Sequence, residues 1–69
     1  MEFRRIDTVL GDSVEKHDIV GEDGDHWQIR RVIEDEGDLI AFEAYNLDTG
    51  DEDTILLDPD EPYDLFEAS

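Results

Sequence analysis

The sequence predicts a small, mainly β-structured single domain whose antiparallel sheet curls into a partly open barrel. Clusters of turn-forming residues recur at short intervals along the 69-residue chain, which is typical of small all-β domains. Between the turns, apolar and polar residues alternate as they do in half-buried strands. One segment, residues 39–47, is apolar on both faces. Because so short a chain has no second sheet to cover such a strand, a sheet that curls on itself is the simplest way to bury it.

The amino-terminal residues 1–11 are predicted to form a short helix or an irregular lid beside the barrel. Four apolar residues have the spacing i, i+3, i+6, i+7 of a helical stripe: Phe3, Ile6, Val9 and Leu10. An edge strand is the alternative, because Thr8 and the β-branched Ile6 and Val9 also suit extended structure. The barrel proper is expected to span residues 12–67.

The first two strands of the barrel are expected at residues 13–20 and around Trp27 and Ile29. In the second strand these two apolar residues alternate with polar ones, which predicts one buried face. Val32 and Ile33 are adjacent and interrupt the alternation, which indicates a bulge or the end of the strand.

The remaining strands follow as a meander. Residues 39–47 form the third and central strand, with Phe42 on one of its two apolar faces. Residues 54–57 form a fourth short strand. The segment 58–62 contains two prolines, which cannot lie inside a central strand and suit a tight 3₁₀-like turn. Residues 63–67 then form a last short strand or one helical turn.

This succession of a three-stranded meander, one tight turn and a final short strand resembles the SH3-like small barrel over residues 12–67. The resemblance concerns topology. It implies five antiparallel strands in a partly open barrel, and with the amino-terminal element a single domain over residues 1–69. The composition, in turn, resembles that of small acidic proteins from halophiles that keep molar salt in the cytoplasm.

The charge supports a salt-adapted protein. Asp and Glu number 22 and Lys and Arg number 5, which gives a formal net charge of −17. In dilute buffer such self-repulsion opposes the compact state. At about 1 M salt the Debye length falls to about 3 Å, so neighbouring carboxylates largely cease to repel. A disordered acidic tail is the less favoured alternative, because the 38% of apolar residues are patterned along the chain.

Several functional classes lack their sequence signatures. No run of about 18 apolar residues exists, and no continuous apolar segment begins the chain, so we expect a cytoplasmic protein without a membrane span. The chain has no cysteine and no phosphate-binding glycine loop. A barrel of this size has little room for a substrate cleft. We therefore predict a non-enzymatic protein with no catalytic residue and no cofactor.

The two histidines raise the question of a metal site. If His17 and His26 lie on adjacent strands, they could join Asp18, Asp23 or Asp25 as a two-histidine, one-carboxylate site. Two solvent-facing histidines are the favoured interpretation. No metal site is predicted.

The candidate partner-binding residues are aromatic or basic. Some SH3-like barrels hold cationic ligands in an aromatic cage, and Trp27, Tyr45 and Tyr63 could supply such a surface here, with acidic rims that favour a Lys- or Arg-rich peptide. Arg30 and Arg31 could instead contact nucleic acid, although salt bridges to nearby carboxylates are the simpler use for them.

These observations favour a small interaction module that binds another protein or itself, as a salt-dependent homodimer in the second case. Two alternatives stay open. One is a nucleic-acid-associated accessory barrel that uses an arginine and aromatic face. The other is an acidic mimic of DNA that captures a basic DNA-binding protein.

Overall fold

The structure, a computed structural model, describes residues 2–69, of which Asp35 and Glu36 are described by their backbone alone. Within these residues the chain forms six strands and one 3₁₀ turn, so the prediction of a mainly β domain is confirmed. The strands are Phe3–Leu10 (β1), Ile19–Glu22 (β2), Asp25–Glu36 (β3), Leu39–Asn46 (β4), Glu52–Leu57 (β5) and Pro62–Ala68 (β6). The 3₁₀ turn, Gly11–Ser13, follows β1.

All six strands belong to one antiparallel sheet in the order β1-β6-β2-β3-β4-β5. Strands β3 to β5 form the predicted three-stranded meander, β2 pairs with the other side of β3, and β6 returns to lie between β1 and β2. The two edges of the sheet are therefore β1 and β5.

The core lies on one face of the sheet. Eight apolar residues, each at most 9% exposed, form it, and they come from every strand except β1 together with the loop before β2. Phe42, Ile29, Leu57 and Val20 are the largest fully buried side chains. Residues 2–69 form no second sheet over this face. The Cα radius of gyration, 11.0 Å, matches the value of about 11 Å expected for a compact chain of this length.

The amino-terminal element is a strand at the edge of the sheet, so the favoured prediction of a helix or lid was wrong and the edge-strand alternative is confirmed. The sheet therefore has six strands instead of the expected five. β1 pairs with β6 from Phe3 opposite Ala68 to Leu10 opposite Pro62, with a register shift at Ile6. This bulge reverses the faces: Phe3 lies on the outer face of the sheet, whereas Val9 packs against the core. The apparent helical spacing is thus an extended strand interrupted by one extra residue.

Strand β2 is shorter than the strand that the sequence predicted at residues 13–20. Residues 14–18 form a turn in which the Asp18 carboxylate accepts a hydrogen bond from the Glu15 N–H (2.9 Å) and the Asp18 N–H donates to the Glu15 carbonyl (3.1 Å). These bonds satisfy backbone groups that a strand would use for pairing. Val14 nevertheless reaches the core, where it is 5% exposed.

Strand β3 carries two bulges. The register shift between Val32 and Glu34 confirms the irregularity predicted at Val32 and Ile33. A second shift, between Ile29 and Arg31, was not predicted. The tight turn expected at residues 58–62 is present, because the Glu61 N–H donates to the Asp58 carbonyl three residues earlier (3.2 Å). No helix among residues 2–69 has the length and apolar character needed to cross a membrane.

Candidate binding surfaces

The three candidate aromatic residues lie on two different faces of the sheet. Trp27 and Tyr63 are half-buried and pack against the core from the inner face. Tyr45 is also half-buried, but it lies on the outer face of β4, opposite Gln28 of β3 and Glu52 of β5. The structure therefore brings two of the three candidates to one face and leaves Tyr45 on the other.

Trp27 forms one wall of a cavity of about 320 Å³, which we call the Trp27 pocket. Its indole N–H donates to the Glu22 carbonyl (3.3 Å), which fixes the ring against the β2–β3 hairpin. The other walls of the pocket combine acidic and apolar residues from this hairpin and from β5: Glu22, Asp23, Asp53, Thr54, Ile55 and Leu56. An aromatic face and three carboxylates thus share one small cavity.

Two groups at or near this pocket, Glu22 and Tyr63, have raised pKa values. The pKa of Glu22 is raised, first by burial and then by the nearby carboxylates of Asp23 and Glu61. The pKa of Tyr63 is also raised, mainly by burial, although the hydrogen bond that its hydroxyl accepts from the Asp58 N–H (2.8 Å) acts in the opposite direction. The Glu22 carboxylate contributes to the raised pKa of Tyr63, and it also lines the pocket of Trp27. Both Tyr63 and Trp27 therefore lie in its negative field. A cation in the pocket would relieve this repulsion.

The Trp27 pocket adjoins an open edge of the sheet. β5 pairs with β4 alone, so its other side presents backbone groups that no neighbouring strand uses. Leu56, which lines the pocket, is 48% exposed. The free edge of a strand that carries an exposed apolar side chain is a template for an added strand.

Arg30 and Arg31 lie elsewhere, around a cavity of about 440 Å³ that we call the basic depression. Lys16 and His17 complete its basic lining, and Gln28, Ile29 and Glu43 form the rest. The Arg31 Nε donates to Glu43 Oε2 (3.0 Å), and the Arg30 Nη1 lies 4.0 Å from Glu52 Oε1. Both arginines therefore approach carboxylates, as the salt-bridge interpretation of the sequence expected. They also share this surface with Lys16 and His17.

The sequence did not predict that Lys16 and His17 would join these arginines. The one sequence signal that singled out Lys16 was that it is the only lysine in the chain. Arg4 and Arg5 are on β1 and do not line the basic depression; Arg4 forms an ion pair with Glu67. Trp27 does not line it either.

The two histidines have separate environments. His17 is exposed in the basic depression. His26 is partly covered, because its ring stacks on Phe3 (centroids 3.9 Å apart) and meets the edge of Phe66 (4.7 Å). Asp48 Oδ2 lies 3.0 Å from His26 Nδ1 and accepts the His26 backbone N–H at 2.7 Å. His26 thus anchors β1 to the sheet, whereas the favoured interpretation placed it in solvent.

Among residues 2–69, apart from the side chains of Asp35 and Glu36, no group of three or more His, Cys, Asp or Glu residues is arranged to hold a metal ion. In comparisons with protein-family models, with curated proteins and with solved structures, no match to this chain was found.

Proposed function

We propose that this chain is a small non-enzymatic interaction module whose Trp27 pocket and β5 edge bind a cationic, Lys- or Arg-rich segment of another protein. The observation that carries this proposal is the pocket itself. The only tryptophan of the chain is held against a cavity with three acidic residues in its walls, beside an unpaired strand edge. An aromatic face, carboxylates and a free edge together suit an extended peptide with basic side chains.

The strand arrangement supports an SH3-like partly open barrel as the scaffold of this module. Strands β2 to β5 form a meander, a tight turn follows, and β6 returns beside β2. This is the arrangement that the resemblance implies, and β1 is an addition at its edge.

A cationic side chain would gain from each wall of the pocket. A Lys or Arg head group over a tryptophan face is favourable by about 0.5–2 kcal/mol, depending on its desolvation. The carboxylates of Glu22, Asp23 and Asp53 would pair with it, and its positive charge would offset the repulsion that adds to burial in raising the pKa of Glu22. The peptide backbone could pair with β5 as an added strand. In molar salt the attraction at long range is screened, but contacts inside the pocket are screened much less.

Nucleic acid is a weaker candidate partner. Binding through an arginine and aromatic face would need Trp27 and the two arginines together, whereas they line different cavities. The net charge of −17 would also repel a polyanion. A cationic partner meets neither difficulty.

The intrinsic fluorescence of Trp27 tests the proposal directly, because the chain has no other tryptophan. The probe is a ten-residue peptide of alternating Arg and Thr, titrated in 1 M KCl, with a peptide of alternating Glu and Thr as its control. We expect a saturable spectral change with the Arg peptide and none with the Glu peptide. The absence of a saturable change with the Arg peptide would overturn the proposal.

A matched pair of variants separates the pocket from the overall charge. Asp53→Asn removes one carboxylate from the pocket, and Asp38→Asn removes one from the exposed β3–β4 turn. We expect Asp53→Asn to weaken peptide binding by about fivefold, which corresponds to one ion pair of about 1 kcal/mol. Asp38→Asn should leave the affinity unchanged. Equal weakening by both variants would mean that the peptide reads only the net charge.

We also propose that the acidic surface adapts the protein to a salt-rich cytoplasm. Since screening relieves the self-repulsion of 22 acidic residues, the melting temperature should rise steeply from low to molar salt. Circular dichroism melts from about 0.05 to about 3 M KCl measure this effect. A melting temperature that does not change with salt would refute the adaptation.

A further inference from the structure

We propose that the basic depression is a second binding site, which takes the phosphoryl group of a small ligand. Three of the five Lys and Arg residues of the chain, Lys16, Arg30 and Arg31, meet at this one cavity, together with His17. On a chain with a net charge of −17, cations that serve only to pair with carboxylates have no reason to gather. The proposal is independent of the Trp27 pocket.

Two backbone irregularities build the depression. On one side, His17 has a positive φ of 79°, a conformation that side-chain-bearing residues seldom adopt. The turn that holds it there is tied to β3, because the His17 N–H donates to the Ile29 carbonyl (2.8 Å) and the Ile29 N–H donates to the Asp18 carbonyl (2.8 Å). On the other side, the bulge between Ile29 and Arg31 inserts an extra residue into β3. Bulges and strained residues that concentrate side chains in this way are typical of functional sites.

The charges of the lining favour an anion. The lining holds three cations and one carboxylate, that of Glu43, which gives it a formal charge of +2 with His17 neutral. A second carboxylate, that of Glu52, lies outside the lining and approaches Arg30. Among the side chains that the structure describes, no carboxylate forms an ion pair with Lys16. Arg31 uses its Nε for Glu43, so its terminal nitrogens stay available. The Arg30 Nη1, at 4.0 Å from Glu52, is beyond hydrogen-bonding distance.

Size and field favour a phosphate monoester over other anions. A cavity of about 440 Å³ lies within the usual range for small-molecule sites and exceeds what a bare ion fills. Guanidinium forks and an ammonium group are the donors that proteins use most for phosphate oxygens. The acidic remainder of the surface would repel a long polyanion such as nucleic acid, whereas a small ligand meets only the local charge.

The test compares adenosine monophosphate, adenosine and a twelve-residue single-stranded oligodeoxynucleotide as probes. Each is added to ¹⁵N-labelled protein in phosphate-free buffer with 1 M KCl, and amide chemical shifts are followed. We expect saturable shifts with the monophosphate at residues 16–18, 28–31 and 43, and none with adenosine. No saturable shift with the monophosphate, equal shifts with adenosine, or tighter binding of the oligonucleotide at these amides would each overturn the proposal.

Three variants with the same charge change complete the test. Lys16→Gln and Arg30→Gln each remove a cation from the depression, and Arg4→Gln removes one from β1. We expect each of the first two to weaken binding of the monophosphate about tenfold, the effect of losing one charged hydrogen bond. Arg4→Gln should bind as the parent does. The same spectra show that each variant is folded, and an equal loss in Arg4→Gln would mean that no site is present.

Discussion

The Trp27 pocket and the basic depression both lie along β3, but they differ in what makes them informative. With 22 acidic residues on 69, any surface cavity tends to include carboxylates, so the acidic walls of the Trp27 pocket mean little without the aromatic ring. With only five Lys and Arg residues, the meeting of three of them is informative in itself. On so acidic a chain, a cluster of basic residues indicates a site by itself. A cluster of acidic residues indicates one only when another feature, such as an aromatic ring, accompanies it.

Both surfaces depend on the same core, so one substitution should remove both. Phe42 is 1% exposed and lies opposite Val32 of β3 and Ile55 of β5. Phe42→Ala should lower the free energy of unfolding by about 3–5 kcal/mol, which is enough to unfold a small domain. Thermal melts in molar KCl measure the change.

Leu56→Ala is the control for this effect, because Leu56 lies on the neighbouring strand but is 48% exposed. It should change the free energy of unfolding by less than about 1 kcal/mol. If Phe42→Ala melts like the parent protein, β4 is not the centre of the fold.

Asp48, the partner of His26, and Glu22, in the Trp27 pocket, should affect the pH dependence of stability in opposite ways. Asp48 has a lowered pKa because it accepts hydrogen bonds from the His26 ring and backbone. Its contribution is therefore present above the unfolded pKa of about 3.9 and is lost as the pH falls through the folded value. Asp48→Asn should lower the melting temperature at pH 7, and the difference from the parent should vanish in acid. A difference that persists unchanged to about pH 2 would contradict this assignment.

Glu22 should behave in the opposite way. Its pKa is raised in the folded state, so its charged form opposes folding above that pKa, and the opposition fades as the pH falls through it. Glu22→Gln should therefore raise the melting temperature slightly at pH 7 and reduce the gain in stability that the parent shows on mild acidification. Melts at pH 7 and pH 5 test both statements. A variant less stable than the parent at pH 7 would show that the Glu22 carboxylate stabilises the fold.

The smallest expected effect concerns the other edge of the sheet, β1. Ile6 is 55% exposed and Leu10 is 46% exposed on this edge strand. Because salting-out conditions strengthen apolar contacts, we expect a weak homodimer at about 3 M KCl and a monomer at about 0.2 M. Sedimentation velocity measures this, and Ile6→Glu should remove the dimer. A dimer that survives this substitution would have to use β5, and it would then compete with the cationic peptide.

The local pattern of the sequence predicted the parts of the fold that depend on neighbouring residues. The apolar residues on both faces of 39–47 predicted β4, with Phe42 on one of these faces, and the adjacent Val32 and Ile33 predicted a bulge or the end of the strand. The same reasoning failed at β1, because a bulge at Ile6 gives an extended strand the apolar spacing of a helix. Only pairing with β6, some 60 residues away, distinguishes the two.

The candidate sites were predictable only in part, because some of their residues meet through contacts between distant parts of the sequence. Trp27 and Glu22 belong to one hairpin and are neighbours in sequence, but Asp53 joins them only when β5 completes the sheet. The basic depression depends on hydrogen bonds between the turn at His17 and Ile29, and on a bulge that no residue pattern indicates. Sequence reasoning therefore named Trp27 and the arginines, but its nucleic-acid alternative required them on one face, whereas they line different cavities.

The most direct test of the Trp27 pocket is a map of amide chemical shifts during titration of ¹⁵N-labelled protein with the alternating Arg and Thr peptide in 1 M KCl. We predict that the largest changes occur at residues 22–27 and 53–56, with little change at residues 16–18 and 28–31. Changes spread evenly over the acidic segments of the chain, or concentrated on β1, would contradict a specific site for a cationic partner at Trp27.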